Sequence, residues 1–164
     1  AKIVAALGGT PVAMPMGETY DAISRGVVDG SMAPIEALQG WKWGEVVKFT
    51  VENFSSSYST GMFVVMNKAK WNSLPPDVQK IIEQVNEEYS EKQGKLWDEI
   101  DKAGRDFTLG RGNKIISLKP EESLRWEKAV RPILEEYKKN MAEKGLPGQE
   151  VLSFYLQTIY KYQR

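Results

Sequence analysis

Leu74-Pro75-Pro76-Asp77-Val78-Gln79-Lys80-Ile81-Ile82 opens the stretch that decides the fold. Two prolines followed by an acid read as a helix start, because the first helical turn needs no proline N–H and its dipole favours negative charge. Beyond it Val78, Ile81, Ile82, Val85, Tyr89, Leu96, Trp97, Ile100 and Phe107 recur at three- and four-residue spacing, the period of one helical face. Unbroken from Asp77 to Phe107, such a helix is about 45 Å long. A compact domain of this chain length has no use for it, so a helix spanning two domains is expected.

Downstream, Lys114–Ser117 reads as a short strand, and Pro120-Glu121-Glu122 opens a helix carrying Trp126, Val130, Ile133, Leu134, Tyr137 and Met141. Pro132 should cost that helix one backbone bond and kink it. Gly145-Leu146-Pro147-Gly148 breaks the chain before a terminal helix over Val151–Tyr160. Upstream, residues 1–66 read as α/β. Helical turns over Ala1–Leu7 stop at Gly8-Gly9, and Pro11–Met14 is a strand candidate. A helix over Gly17–Arg25 ends at Gly26, and Val27-Val28 is a brief buried strand. A helical stretch from Pro34 to Glu45 leads to two β-rich runs, Val46–Val51 and Gly61–Met66, with a polar segment at Ser55–Thr60 between them. The chain thus divides at 1–66, 67–145 and 146–164.

The 164 residues carry 22 basic and 22 acidic side chains, a balance that lacks the electrostatic footprint of a nucleic-acid binder. With no Cys and no His, thiol and imidazole catalysis and zinc sites built on those ligands are excluded. The longest apolar run, Met62–Met66, has five residues, far short of the roughly 20 that a membrane-spanning helix needs. Ala1 opens inside apolar-periodic structure, so a stretch preceding it is expected.

Isolated candidates for chemistry have ordinary explanations. The glycine pairs Leu7-Gly8-Gly9-Thr10 and Leu109-Gly110-Arg111-Gly112 lack the spacing of a phosphate loop and read as helix ends. Glu18, Asp21 and Asp29 fit caps or surface ion pairs, and Glu83, Glu87, Glu88 and Glu91 beside Lys80, Lys92 and Lys95 fit a solvated face. Tyr89, Trp97 and Trp126 fit core positions. Trp41 and Trp43 lie too close together on one element for both to be core, so one of them lines a cleft or an interface.

The order of the motifs says more. Leu7-Gly8-Gly9-Thr10-Pro11-Val12, then Gly17-Glu18-Thr19-Tyr20-Asp21-Ala22 and Gly26-Val27-Val28-Asp29-Gly30, are followed by Met66-Asn67-Lys68, Trp71, Leu74-Pro75 and Val78-Gln79. From Ala1 to about residue 145 this string resembles the C-terminal half of the extracytoplasmic solute-binding proteins of tripartite ATP-independent periplasmic (TRAP) transporters, receptors for small organic acids. The resemblance implies a periplasmic, two-domain α/β receptor that catalyses nothing, shuts its ligand in an interdomain cleft and delivers it to membrane permease subunits. This chain corresponds to the second domain, with the long helix and a helical C-terminal region. The family's first domain, and the arginine that pairs with the ligand carboxylate, fall before Ala1.

Carried over by position, the pocket includes Met16, where some members place an aromatic residue, Gly17 beside it, and Ser31, Met32 and Ala33. The family's Gln-Glu-Asn-Pro reads Ser31-Met32-Ala33-Pro34 here, so Ala33 replaces an asparagine that hydrogen-bonds the ligand. That departure points away from polyhydroxylated or dicarboxylate ligands and toward a monocarboxylate with an aliphatic or aromatic body. Phe54 and Ser55 fall near the segment that passes the pocket. Ordinary core packing of Met16 and Met32 is the alternative. No cofactor is called for, and too few matched ligands exist to claim a metal. Two other functions compete: an enzyme fragment using carboxylates such as Glu18 and Asp29, and a helical interaction or dimerisation module over residues 77–160.

Overall fold

The computed structural model describes residues 1–56 and 61–162. These form two compact units, one made of residues 14–50 and 61–116, the other of residues 1–13, 51–56 and 117–162. In chain order the elements are α1 (Lys2–Ala6), α2 (Met16–Ser24), α3 (Ala37–Gly40), a 3-10 turn (Trp43–Glu45), β1 (Phe49–Glu52), α4 (Lys68–Asn72), α5 (Pro76–Gly110), β2 (Lys114–Ser117), α6 (Pro120–Glu143) and α7 (Gly148–Tyr162).

The unit of residues 14–50 and 61–116 is organised by α5. Its 35 residues, about 52 Å at 1.5 Å each, start with proline in the first turn and Asp77 beside it, as the sequence predicts. Its C-terminal part packs on α3 and the 3-10 turn. There Gly104 is buried, and a Cβ on it would fall 2.4 Å from the Ile35 carbonyl oxygen, so glycine is what lets α5 and the start of α3 touch backbone to backbone. Gly44 has the same role: a Cβ there would meet the Leu38 carbonyl at 3.0 Å and the Phe107 ring at 3.1 Å. Ala37, Leu38 and Trp43 form the core, with Met16, Tyr20, Ala33, Ile35 and Val47 packed against it. Buried Asn113 ties the end of α5 down, donating from Nδ2 to the Gly44 carbonyl at 2.6 Å and to Thr108 Oγ1 at 3.3 Å.

The N-terminal part of α5 is solvated, with Ile81, Val85, Tyr89 and Leu96 all exposed, so Tyr89 is not a core residue. Its neighbours are the expected i,i+4 ion pairs, Lys92 with Glu88 and Lys95 with Glu91. The Met66-Asn67-Lys68…Trp71…Leu74…Gln79 block is a folding device. Asn67 Oδ1 caps α4 by accepting from the N–H groups of Ala69 (2.9 Å) and Lys70 (3.2 Å). Gln79 Nε2 then donates to the carbonyls of Trp71 (2.8 Å) and Leu74 (3.1 Å), locking the turn between α4 and α5.

In the other unit α6 packs on α7 and on α1, where Lys2 Nζ meets Glu136 at 2.6 Å. That contact holds the Glu136 carboxyl below its ordinary value, chiefly through the hydrogen bond. The helix runs on through Pro132. Trp126 is half-buried and donates its indole N–H to Glu122, whose carboxyl is thereby lowered. Gly148, at the start of α7, is buried where a Cβ would strike the Met141 side chain at 2.4 Å.

β1 and β2 are hydrogen-bonded neighbours. The Lys114 N–H donates to the Lys48 carbonyl at one end and Ser117 Oγ to the Glu52 carboxylate at the other, so the strands run parallel. Such a pair needs a long crossover, and α4 and α5 supply it.

Four expectations are corrected. Pro11–Met14, Val27-Val28 and Gly61–Met66 are not strands, and Val27 (69%) and Val64 (83%) are well exposed. A strand is held by its ladder, and none of these runs has a hydrogen-bonded neighbour among the described residues. The stretch from Pro34 to Glu45 is not one helix either: Lys42, at φ 60°, breaks it between α3 and the 3-10 turn. Of the polar segment Ser55–Thr60, residues 57–60 lie outside the described residues.

Candidate functional site

Met16 and Gly17 form the first turn of α2, entered from extended Pro15. Buried Thr19 donates Oγ1 to the Pro15 carbonyl at 3.2 Å, and Tyr20 donates its hydroxyl to Glu45 at 3.1 Å, which fixes α2 against the 3-10 turn. The Glu45 hydrogen bond is also the main reason the Tyr20 phenol is raised above its usual pKa. Met16 is half-buried on the Ala37–Leu38–Trp43 core, and Gly17 is exposed.

Ser31, Met32 and Ala33 lie on the irregular segment leading to α3. Ser31 is exposed, Met32 half-buried, and Ala33 packs against the same core as Met16. The fold therefore brings Met16 and Ala33 to one apolar patch. At the root of α3 the Glu36 N–H donates to Asp101 Oδ1 at 3.2 Å, and the Glu36 carboxyl is raised by burial and then by the Asp101 charge.

Phe54 and Ser55 belong to the other unit. With Glu52, Ser117, Leu118 and Ser123 they line an open pocket of about 300 Å³. Phe54 is 81% exposed, while Ser55 Oγ is held at 2.6 Å from Ser123 Oγ and donates to the Ser123 carbonyl at 3.2 Å. Asn53 organises the turn by accepting from the Ser56 N–H and hydroxyl. Ser117 and Ser123 were not expected at this pocket. The signal for Ser117 was available, because parallel pairing places the residues just after β1 beside the end of β2.

The glycine pairs take their ordinary role as helix ends. Gly8 (φ 89°) and Gly112 (φ 79°) end α1 and α5 in the left-handed conformation. Trp43 is buried and Trp41 is 44% exposed, so the pair splits between core and surface. Among the described residues no three Asp or Glu side chains gather as a metal site, and no helix is long and apolar enough to cross a membrane.

Residues 1–140 match the sequence profile of bacterial extracellular solute-binding protein family 7, DctP, and the chain belongs to that family. It is 33% identical over 133 residues to the C4-dicarboxylate-binding periplasmic protein DctP of Rhodobacter capsulatus, an alignment covering 80% of this chain and 39% of that one. Among solved structures, a marine metagenome TRAP solute-binding protein specific for aromatic acid ligands is similar at 29% identity and a TM-score of 0.80, over 99% of this chain and 52% of that one. A TRAP solute-binding protein of Rhodoferax ferrireducens, in complex with copurified benzoate, is 30% identical with a TM-score of 0.79, over 93% and 48%. The fold class is thus the α/β class of periplasmic solute receptors, and this chain spans about half the length of those structures, or less.

Proposed function

We propose that this chain is the C-terminal portion of a periplasmic solute receptor that binds a small organic acid and hands it to a TRAP-type permease, without catalysing a reaction. The family match over residues 1–140 carries this proposal. In such a receptor, residues 1–66 contribute one wall of the cleft, α5 and α6 the helical region shared between domains, and a preceding domain the other wall. Binding closes the two, and the closed form is what the permease recognises.

The ligand is a monocarboxylate with an apolar body. Ala33 offers no side-chain hydrogen bond, and Met16 and Met32 stand beside it in sequence-matched pocket positions, so the wall favours carbon over hydroxyl. Similar proteins in complex with benzoate and with 3-hydroxybenzoate support this reading. Phe54 and Ser55 are proposed as further contacts. Titration calorimetry of the complete receptor against benzoate, 3-hydroxybenzoate, succinate and a sugar acid tests this. One-to-one saturation by the aromatic acids, with ligand recovered unchanged, is expected. Preference for succinate or the sugar acid would overturn the ligand class, and turnover or no binding at all would overturn the receptor itself.

A further inference from the structure

Trp41 is one of the aromatic side chains that the core does not absorb. It follows α3 directly, is 44% exposed, and lies over the first turn of α2, with its Cζ3 atom 3.7 Å from where a Cβ on Gly17 would stand. Two residues on, Trp43 is only 4% exposed. The residue between them, Lys42, is the one non-glycine residue with positive φ among those described. A side chain in that conformation crowds the following carbonyl, so the turn is held by its surroundings rather than by local preference. Its effect is to send one indole into the core and leave its neighbour on the surface beside Gly17. Because Gly17 is itself exposed and carries no side chain, nothing of its own stands between solvent and that contact.

We propose that the Trp41 indole, seated against Gly17, is the surface on which the body of the bound acid stacks, and that it selects planar aromatic monocarboxylates over aliphatic or hydroxylated ones. The proposal rests on the assignment of Met16 and Gly17 to the pocket and names the group that gives that pocket its selectivity. An indole face favours an offset or edge-on aromatic ring beyond simple area burial, and a flexible alkyl chain gains only the area. Trp41 is a specificity residue here. It carries no charge and leaves recognition of the carboxylate to other groups.

The test is a titration of the isotopically labelled complete receptor with benzoate, followed by nuclear magnetic resonance, with pentanoate as the aliphatic control. Saturable movement of the Trp41 indole N–H resonance together with the Gly17 amide is expected, larger for benzoate than for pentanoate. Trp41→Ala should weaken benzoate about threefold to tenfold and leave pentanoate nearly unchanged, and Trp41→Phe should keep most of the preference. If the Met16, Gly17 and Ala33 amides respond to benzoate while the Trp41 indole does not, stacking on Trp41 is wrong and the pocket assignment stands. If none responds, both are wrong. Should Trp41→Ala lose its dispersed spectrum, the wild-type indole resonance and the Trp41→Phe variant decide.

Discussion

The two units of the molecule belong to one chain, yet each is held together differently. In the unit of residues 14–50 and 61–116, Ala37, Leu38 and Trp43 are buried, and two glycines let α5, α3 and the 3-10 turn approach at backbone distance. In the other unit no large apolar side chain is fully buried among the described residues. Phe54, Phe154 and Tyr160 are all more than 70% exposed there. Both units carry amphipathic helices of similar quality, so the difference between them is whether a facing surface exists for the apolar stripe. Amphipathicity makes a helix ready to pack, but a core requires a partner. Stability should accordingly be uneven, with the α3–α5 region the last to open and α6 and α7 opening first.

The largest effect is expected from Gly104→Ala. The new methyl group would meet the Ile35 carbonyl and the Glu36 Cα, which are backbone atoms and cannot swing away. Overpacking of this kind costs about 1–3 kcal/mol, seen as a lowered melting temperature and faster amide exchange in α3. Gly148→Ala is the matched change in the other unit. Its clash is with the Met141 side chain, which can change rotamer, so a smaller loss is expected. Equal losses at the two glycines would break the contrast. Asn67→Ala removes the cap of α4 and should cost about 1 kcal/mol by denaturant titration.

Acid should separate the units as well. Glu36 has a raised carboxyl, so its protonated form is favoured by folding. Its contribution is fully present below the unfolded-state pKa and lost as pH rises through the higher folded-state value. Glu136 has a lowered carboxyl. Its contribution is present above the unfolded-state pKa and lost as pH falls through the lower folded-state value. Glu36→Gln should therefore stabilise the protein at neutral pH and flatten that part of the pH profile. Glu136→Gln should leave neutral-pH melting almost unchanged, since an exposed ion pair contributes little. Ala33→Asn is the most informative change for the pocket. It should weaken an apolar monocarboxylate, and unchanged or tighter binding would contradict the proposed ligand class.

The long helices were legible in the sequence because their signals are local, Pro76 and Asp77 at the start of α5 and the 3.6-residue period along it, whereas α4 and the break at Lys42 were not. Of the strands, Lys114–Ser117 was legible and Phe49–Glu52 largely so, whereas Val27-Val28 and Met62–Met66 have strand composition but no described neighbour to pair with. The division of Trp41 from Trp43 was half legible. Spacing said that one of them must leave the core, but only the left-handed turn at Lys42 decides which, and nothing in a lysine codes for that. The positions of Met16 and Ala33 were read from motif order, and that both pack on the Ala37–Leu38–Trp43 core required the fold. Ser123 was invisible, since its neighbour Ser55 lies 68 positions away in sequence.

Whether this chain completes a two-domain receptor is tested most directly by reading the coding DNA upstream of the codon for Ala1. An open frame of comparable length is expected there, beginning with a secretory signal and placing an arginine shortly before Ala1. A start codon at or just before Ala1 would contradict the receptor, leaving one cleft wall with no partner and the exposed helices of residues 77–160 as the surface to explain.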